Sequence, residues 1–215
     1  DVLHLNASNE NIPFASLTND LIPTYPNNWE IGVIYGPHGA PDFFTPADIE
    51  MFFATDWETH HNSARTGIRL IGPKPEWART DGGEAGLHPS NIHDNAYAIG
   101  TVDFTGDMPI ILAHDGPSLG GFVCPATIVQ AELWKIGQLK PGDKVRFQPI
   151  SIERANALEL AQDREIELLA LQPRFPQEYY LPQTVSIAGN NQIIYRRSGD
   201  RYLLIEYGEL VLDLN

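Results

Sequence analysis

The stretch AYAIGTVDFTGDMPIILAHDGPSLGGFVCPATIV, residues 96–129, decides the fold. It contains short apolar runs, and turns rich in glycine and proline separate them. Short apolar runs between such turns predict β-strands. The strands predicted in this stretch and on either side of it are 31–37, 66–72, 96–104, 109–114, 121–129 and 144–150. Many short strands joined in this way favour a sandwich or a barrel over a doubly wound parallel sheet.

Helical signals lie between and after these strands. A helix is predicted to begin at Pro46, because Thr45 can cap its first turn and proline suits the first helical position. A short helix is expected over 130–139, interrupted by Gly137. A charged amphipathic helix is expected over 151–172, capped by the serine at its start. The fold class predicted from the sequence is therefore mainly β with a few short helices.

The composition excludes several classes of function. Hydrophobic residues make up 42% of the 215 residues, which is enough for a packed core. Fourteen basic residues against 28 acidic ones give a net charge of −14. This charge argues against nucleic acid and anionic membranes as partners, because phosphate contacts need clustered Lys and Arg. No apolar stretch approaches the roughly 20 residues that cross a bilayer.

The single cysteine, Cys124, lies in an apolar run and is interpreted as a buried, unreactive thiol. One cysteine cannot form a disulfide within the chain, so no oxidising compartment is required. The N-terminal segment has neither a basic start nor an apolar run, which predicts no signal peptide. We therefore expect the protein in the cytoplasm.

The densest polar stretch is DGGEAGLHPSNIHDNAYA, residues 81–98. Its glycines permit unusual backbone angles or close approach to a ligand. Asn91 and Asn95 each present a hydrogen-bond donor and an acceptor. The stretch is interpreted as a loop, either a ligand site or a well-ordered surface loop with Asx turns. A second loop, DGPSLGG, ends in Gly120 and Gly121, whose amides either receive a ligand carbonyl oxygen or belong to a glycine-rich hairpin.

Two other kinds of site are disfavoured. His88, His93 and Asp94 could supply metal ligands, but no H-x-x-x-H or C-x-x-C spacing accompanies them. A nucleophilic triad built on Ser118 is also disfavoured, because the chain has no G-x-S-x-G elbow. We expect no metal ligand and no catalytic nucleophile.

The run TGIRLIG…KVRF, residues 66–147, resembles the carboxyltransferase region of biotin-dependent urea carboxylase nearly throughout. In fungi that enzyme is part of urea amidolyase. The segment HPSNIHDNAYA is similar to the urea carboxylase branch in particular. The PIIL strand, the later GG pair and the ending L-x-PGDK-x-RF are also similar to the family of allophanate hydrolase subunit 2 and 5-oxoprolinase subunits.

The resemblance implies a partial copy of a pair of cyclophilin-like β-barrel subdomains. Residues 1–150 are expected to form the C-terminal part of the first carboxyltransferase subdomain. Residues 151–182 are expected to form a helical linker, and residues 183–215 the start of the second subdomain. The chain starts with Asp and ends in the alternating apolar run YGELVLDLN, so we expect it to be a piece of a longer polypeptide.

The resemblance also implies an activity. In that family a separate biotin carboxylase domain uses ATP, Mg2+ and bicarbonate to carboxylate biotin on a carrier domain of the same polypeptide. The carboxyltransferase region then passes CO2 from carboxybiotin to a urea nitrogen, giving allophanate. The biotin ureido anion that leaves is the expected base, so the protein positions and polarises the substrate. Without the missing half of the carboxyltransferase, the isolated chain is expected to be inactive.

The expected substrate contacts come from the two polar loops. Urea is neutral and offers one carbonyl acceptor and two NH2 donors, which suits asparagine; guanidinium offers donors only and prefers a carboxylate. The residues predicted to bind the substrate are His88, Ser90, Asn91, His93, Asp94, Asn95, Gly120 and Gly121. The two histidines either donate to the urea oxygen or brace the loop. A related carboxyltransferase for guanidine or 5-oxoproline, and a purely structural module, remain alternatives.

Overall fold

The computed structural model describes residue 17, residues 19–170 and the segments 184–186, 192–198 and 202–207. The chain divides into two compact units. The larger unit runs from Pro23 to Leu171, and the smaller one combines Asp1–Ile22 with Gln172–Asn215. None of the described helices is both long enough and apolar enough to cross a membrane.

Seven strands of the larger unit close into a β-barrel. The strands of this unit are β1 (Asn28–Tyr35), β2 (Trp57–Thr59), β3 (Gly67–Ile71), β4 (Asn91–Ala96), β5 (Thr101–Thr105), β6 (Met108–Leu112), β7 (Leu119–Phe122), β8 (Ala126–Ile128) and β9 (Lys144–Pro149). The barrel order is β1-β8-β5-β6-β3-β2-β9, and β9 closes on β1 in parallel. The mainly β fold and the barrel predicted from the sequence are confirmed.

The strands β4 and β7 stand outside the barrel as a two-stranded antiparallel sheet, called here the β4–β7 ribbon. The ribbon lies over β5: the amide of Phe104 on β5 donates to the carbonyl of Val123, just after β7, at 3.0 Å. It carries most of the residues that the sequence nominated for substrate binding.

The barrel interior is filled by alternate residues of each strand. On β1, Trp29, Ile31 and Val33 are at most 4% exposed, while Asn28 before them and Glu30 between them face solvent. Aromatic rings dominate the centre, where Phe52 stacks on Phe147 with ring centroids 5.1 Å apart. Burying each such side chain contributes about 1.5–3 kcal/mol. Packed side chains therefore fill the described interior of the barrel, and most of the residues nominated for substrate binding lie outside it, on β4 and β7.

The helix α1 (Pro46–Ala54) begins as predicted. The amide of Asp48 donates to Thr45 Oγ1 at 3.1 Å, and the amide of Thr45 donates to Asp48 Oδ2 at 2.9 Å, which is a reciprocal capping box. Asp48 also accepts hydrogen bonds from the amides of Glu76 and Trp77, at 2.8 and 3.1 Å. This one carboxylate therefore fixes the start of α1 and anchors the segment that leads to the ribbon.

The other two predicted helices are present. α2 (Ile152–Ala170) starts with the amide of Arg154 donating to Ser151 Oγ at 3.2 Å, which confirms the cap. Residues Gln130–Gln138 form a 3-10 helix. The prediction that Gly137 interrupts this helix is wrong: the glycine lies inside it, with open space around the position of a Cβ.

Several predicted strand bounds are corrected. The run 96–104 is not one strand, because the chain turns at Gly100, whose φ of 83° favours glycine, and β5 starts after it. The run 121–129 is split into β7 and β8 by Pro125, which has no amide hydrogen for a ladder. The first strand starts at Asn28 rather than at 31. The short strand β2 was not predicted, because three residues carry too little pattern.

The loop predicted over 81–98 is also corrected in its second half, where Asn91–Ala96 form β4. No residue of β4 is fully buried, so the strand lacks the alternation of apolar and polar residues that identifies a strand in a sequence.

The described part of the smaller unit contains a short 3-10 helix, Asn19–Leu21, and a three-stranded antiparallel sheet. The strands of this sheet are β10 (Thr184–Ser186), β11 (Gln192–Ser198) and β12 (Tyr202–Tyr207), in the order β10-β11-β12. Residues 171–183 of the predicted linker and the terminal run 208–215 lie outside the described residues.

Candidate functional site

The β4–β7 ribbon brings the two polar loops of the sequence together. Asn91 pairs with Phe122 and Asn95 pairs with Gly120, so the two asparagines and the glycine pair lie on adjacent strands. Between these pairs β4 has three residues and β7 has one, which makes a bulge. A bulge re-aims side chains and interrupts strand pairing, and bulges are frequent next to active sites.

The glycines of β7 allow this close approach. A Cβ on Gly120 would overlap the Tyr97 ring, and a Cβ on Gly121 would lie 2.8 Å from the carbonyl oxygen of Ile92. A larger residue at 121 would have to move the backbone of Ile92, and one at 120 would have to displace the Tyr97 ring. Packing within the ribbon is therefore a sufficient reason for the glycine pair, and it applies whether or not their amides also meet a ligand.

His88 and Ser90 form a brace at the base of the ribbon. His88 Nδ1 accepts from the Ser90 amide at 3.1 Å and lies 3.0 Å from Ser90 Oγ, which in turn accepts from the Gly106 amide at 3.1 Å. Because Nδ1 is an acceptor, the ring proton lies on Nε2, which is 3.3 Å from Asp107 Oδ1. Ser90 is fully buried. Of the two roles left open for His88, this geometry favours bracing.

Asp107 ties the brace to the rest of the unit. Its carboxylate accepts from Trp77 Nε1 at 3.0 Å and forms an ion pair with Lys74. The hydrogen bonds from Lys74 and Trp77 hold the pKa of Asp107 below its usual range. The same Trp77 is held through its amide by Asp48. The start of α1 and the base of the ribbon are thus joined through two buried or half-buried carboxylates.

The backbone of Asn91 is fixed by Arg79. The Arg79 guanidinium donates from Nη1 to the carbonyl oxygens of Asn91, at 2.7 Å, and Pro89, at 3.2 Å. The Asn91 amide donates to His88 O at 2.8 Å. These contacts use only the main chain of Asn91. No hydrogen bond within the described ranges engages its half-buried side-chain amide, which can therefore meet a ligand.

The remaining nominated side chains are open to solvent. His93 and Asp94 are exposed and Asn95 is half-buried. In the part of the chain that the structure describes, no hydrogen bond to another protein group engages the side chains of these three residues. They offer an imidazole, a carboxylate and an amide at the surface of the ribbon.

A cleft of about 470 Å³ lies between the ribbon and the outer face of the barrel. Its wall includes Asp103 of β5, which is not among the residues predicted from the sequence. Asp103 is 3% exposed, and its buried Oδ1 has no hydrogen-bond partner among the residues that the structure describes. Burial raises the pKa of Asp103 to about 7, although a hydrogen bond from Thr105 opposes the increase. The available signal was a charged residue between Val102 and Phe104 in an apolar strand.

Tyr97 also lines this cleft. Its hydroxyl accepts a hydrogen bond from the Phe122 amide at 2.8 Å, which fills a gap in the ribbon ladder. Burial raises the pKa of Tyr97 to about 12, and the neighbouring Cys124, Asp103 and Asp94 add to the increase. Tyr97 therefore stays neutral and acts as a hydrogen-bonding part of the wall.

The groups weighed for other chemistry lie elsewhere. Cys124 is 2% exposed, and burial raises the pKa of its thiol to about 12, in agreement with an unreactive thiol. The described residues contain no group of three or more His, Cys, Asp or Glu that could hold a metal ion. Ser118 is exposed in the loop before β7, where its carbonyl accepts from the Tyr97 amide at 2.9 Å.

Comparisons with known proteins agree on one family. The family model described as "Carboxyltransferase domain, subdomain A and B" matches residues 1–149. The urea amidolyase of Lachancea kluyveri is 52% identical over 200 residues, which cover 87% of this chain and 11% of that protein. The urea amidolyase of Saccharomyces cerevisiae is 45% identical over 232 residues, which cover 100% of this chain and 13% of that protein.

A solved structure and a more distant relative extend this result. The crystal structure of the Kluyveromyces lactis urea carboxylase is 48% identical, with a TM-score of 0.67, over 92% of this chain and 19% of that one. A 5-oxoprolinase subunit of Escherichia coli is 29% identical over 130 residues, covering 59% of this chain and 38% of that protein. The chain therefore spans only a small part of the length of the urea amidolyases that it matches.

Proposed function

Because this chain belongs to the carboxyltransferase domain family, subdomains A and B, we propose that it is part of a biotin-dependent urea carboxylase. The reaction proposed for the whole enzyme is transfer of CO2 from carboxybiotin to a urea nitrogen, giving allophanate. The observation that carries the proposal is the high identity to two fungal urea amidolyases over 87% and 100% of the chain.

The proposed division of the chain follows from the same family. Residues 1–150 are assigned to the C-terminal part of the first carboxyltransferase subdomain, 151–182 to a helical linker and 183–215 to the start of the second subdomain. Within the proposed linker, α2 ends at Ala170. The rest of the carboxyltransferase, the biotin carboxylase domain and the carrier domain are proposed to lie in other parts of the polypeptide.

The ribbon is proposed as the part of the chain that meets urea. Asn91, His93, Asp94 and Asn95 contribute groups that no other described protein group engages, on backbone that Arg79 and the brace hold in place. An asparagine can donate to the urea oxygen and accept from a urea NH2 group. His88 and Ser90 act as positioning residues beneath them. Gly120 and Gly121 allow the two strands to approach at this point.

The same residues fit the ureido ring of biotin, which is neutral and has one carbonyl group and two N–H donors. When bound, carboxylated biotin supplies both the CO2 and the base. The contribution of this chain is to orient urea and to hydrogen-bond the charge that develops on its oxygen. These roles need donors and acceptors at fixed positions, and the ribbon provides them. They need neither the buried thiol of Cys124 nor a metal ion.

The test uses the full polypeptide, biotinylated and supplied with ATP, Mg2+ and bicarbonate. ADP release is measured with urea, guanidine and 5-oxoproline in turn. Stimulation by urea alone is the expected result. Stimulation by guanidine alone would assign a related carboxyltransferase, an alternative that the exposed carboxylate of Asp94 favours.

Stimulation by 5-oxoproline alone would assign the activity suggested by the similarity to the 5-oxoprolinase subunit of Escherichia coli. If none of the three compounds stimulates ADP release by a polypeptide that carries biotin, the proposal is wrong, and the chain is either a structural module or serves another amide.

A further inference from the structure

The cleft beneath the ribbon has one wall from the barrel and one from the ribbon. The outer faces of β3, β5 and β6 form the first wall, and Tyr97 with β7 forms the second. The volume of about 470 Å³ lies within the range of roughly 300–1,000 Å³ that is usual for small-molecule sites. The side chains proposed above to meet urea lie on the surface of the ribbon, whereas this cleft lies between the ribbon and the barrel.

Asp103 faces the cleft because of its place in β5. Its neighbours Val102 and Phe104 are in the barrel core, and alternate residues of a strand point to opposite faces. Asp103 therefore points outward, yet the ribbon leaves it only 3% exposed. The cation on the cleft wall, Arg69, is exposed, and no ion pair joins it to Asp103 in the described chain.

A carboxyl group in this position is costly for the fold. A buried polar atom without a hydrogen bond costs about 1–3 kcal/mol, and a charged one costs more. The charge cost is reduced because the pKa of Asp103 rises to about 7, so that much of the population is protonated at neutral pH. The unmet bonding capacity of Oδ1 remains. Buried polar atoms are normally hydrogen-bonded, and exceptions to this rule are expected mainly at functional sites.

We propose that this cleft binds a ureido or amide group, with the Asp103 carboxyl as its hydrogen-bonding partner. A protonated carboxyl group has one O–H donor and a carbonyl acceptor side by side. An –NH–C(=O)– group presents the complementary pair, so the two groups form two parallel hydrogen bonds. A guanidinium or ammonium group would instead favour the ionised carboxylate.

The rest of the wall suits a ligand with an apolar skeleton next to that polar group. Ile110, Leu112, Leu119 and Phe122 contribute apolar surface, and Tyr97 adds a neutral hydroxyl. The inference rests on the proposed function for the two sources of such a group, which are free urea and the ureido ring of biotin. The apolar surface gives the ring more contact area than it gives urea.

The experiment measures both ligands on the full biotinylated polypeptide. The KM for urea comes from ADP release, and the Kd of biotin methyl ester, which has the ring without the carboxylate, comes from saturation-transfer NMR. Asp103→Leu removes the donor and the acceptor and is expected to weaken at least one ligand about tenfold or more. Asp103→Asn keeps a donor and an acceptor and is expected to stay within about threefold of the wild type.

A second variant protects the test against misfolding of Asp103→Leu. Leu119 is 63% exposed on the cleft wall, so Leu119→Trp fills the cleft from its rim without entering the core. It is expected to weaken the same ligand as Asp103→Leu. The control, Asp56→Asn, lies outside the cleft in an exposed pair with Arg146 and is expected to change neither constant.

The constant that changes identifies which of the two ligands, urea or the ureido ring of biotin, occupies the cleft. A change in the KM for urea alone places urea in the cleft, and a change in the Kd of the ester alone places the ring there. If Leu119→Trp and a folded Asp103→Leu change neither constant, the inference is wrong, even where urea stimulates ADP release. If urea does not stimulate ADP release but ester binding depends on Asp103, the proposed function fails and the cleft site stands.

Discussion

Asp48 at the start of α1 and Asp103 on β5 are equally buried, at 4% and 3% exposure, but their surroundings differ. Asp48 accepts three backbone hydrogen bonds, at 2.8 to 3.1 Å. Burial raises the pKa of Asp48, yet these bonds and the one from the Thr45 hydroxyl lower it below its usual value. No backbone amide of the described segments donates to the Asp103 carboxyl, and burial raises its pKa to about 7.

The difference shows that burial alone does not decide the state of a carboxyl group. The number of aligned donors decides whether the charge is kept. Asp48 is a charged structural link between two segments, whereas Asp103 is a group with unused bonding capacity next to a cleft. Removal of the Asp48 carboxylate should therefore destabilise the fold. Asp103 should itself lower the stability of the fold, so its replacement by a neutral residue should raise it.

The largest expected effect is the loss of Asp48. Asp48→Ala removes the capping box and leaves the amides of Thr45, Glu76 and Trp77 without their acceptor. At about 1–3 kcal/mol for each unsatisfied buried group, the expected loss is about 5 kcal/mol in the free energy of unfolding. Chemical unfolding followed by tryptophan fluorescence measures it. Asp42→Ala, at an exposed carboxylate before the helix, is the control. Equal stability of the two variants would show that Asp48 is not a structural link.

The next effect is a gain in the free energy of unfolding on substitution of Asp103, and the size of this gain depends on pH. Folded Asp103 keeps its proton up to about pH 7, whereas an unfolded carboxyl loses it near pH 4. Between these values the folded state binds more protons, so the stability of the wild type falls as the pH rises. Asparagine has no such proton. The stability advantage of Asp103→Asn over the wild type should therefore grow by about 3 kcal/mol between pH 5 and pH 8.

The measurement is the thermal midpoint of both proteins at the two pH values. Asp94→Asn is the matched control, because water surrounds that exposed carboxylate in the folded and unfolded chains alike. A pH-independent difference for Asp103→Asn would mean that Asp103 is charged in the folded protein at neutral pH. The comparison with Asp48 would then lose its basis.

A smaller loss of stability is expected from a substitution in the brace. There the buried Ser90 hydroxyl, like the Asp48 carboxylate, has its hydrogen-bond partners. Ser90→Ala leaves the Gly106 amide without its acceptor and removes a partner of His88 Nδ1. The expected cost is about 2 kcal/mol. Hydrogen exchange of the Gly106 amide should also accelerate. Ser118→Ala changes an exposed hydroxyl and should do neither. An unchanged Ser90→Ala protein would show that the brace does not hold the ribbon.

Asp48 and Asp103 also illustrate which features of the structure could be predicted from the sequence. The Thr45, Pro46 and Asp48 signals are local, so the helix start was predicted correctly. The apolar strands and the turns with glycine and proline predicted a sandwich or a barrel, and the resemblance to cyclophilin-like subdomains favoured the barrel. The partners of Asp48 at residues 76 and 77 lie almost thirty positions away, and nothing in the sequence pattern identifies them.

The candidate site was predicted only in part for the same reason. The asparagines and the glycine pair were nominated from composition, and the structure places Asn95 opposite Gly120. Asp103 was missed because its burial depends on the ribbon, which covers β5 from a distant part of the chain. The bracing of Ser90 by Gly106 is also a tertiary contact. Residue types could be read from the sequence, but whether each polar group has a partner could not.

The smallest effect is expected on catalysis, from Asn91→Asp. This substitution introduces a carboxylate at a half-buried position, whereas the substitutions of Asp48 and Asp103 remove one from a buried position. Asn91→Asp keeps the shape of the side chain but removes its donor, so the urea oxygen loses a hydrogen bond. We expect kcat/KM for urea to fall about tenfold, and turnover of guanidine to rise relative to urea, because a carboxylate suits a cation that has only donors. Arg79 holds the main chain of residue 91, so the backbone should not move.

Asn156→Asp introduces the same change at an exposed position of α2 and controls for added negative charge. Unchanged urea kinetics in Asn91→Asp, with the guanidine-to-urea ratio also unchanged, would remove Asn91 from the substrate contacts. Discrimination between urea and guanidine would then have to come from another polar group, and the cleft carboxyl of Asp103 is the strongest remaining candidate. That carboxyl binds a neutral amide while protonated and a cation once ionised. Raising the pH through 7 should in that case shift preference from urea towards guanidine, a trend that Asp103→Asn would abolish.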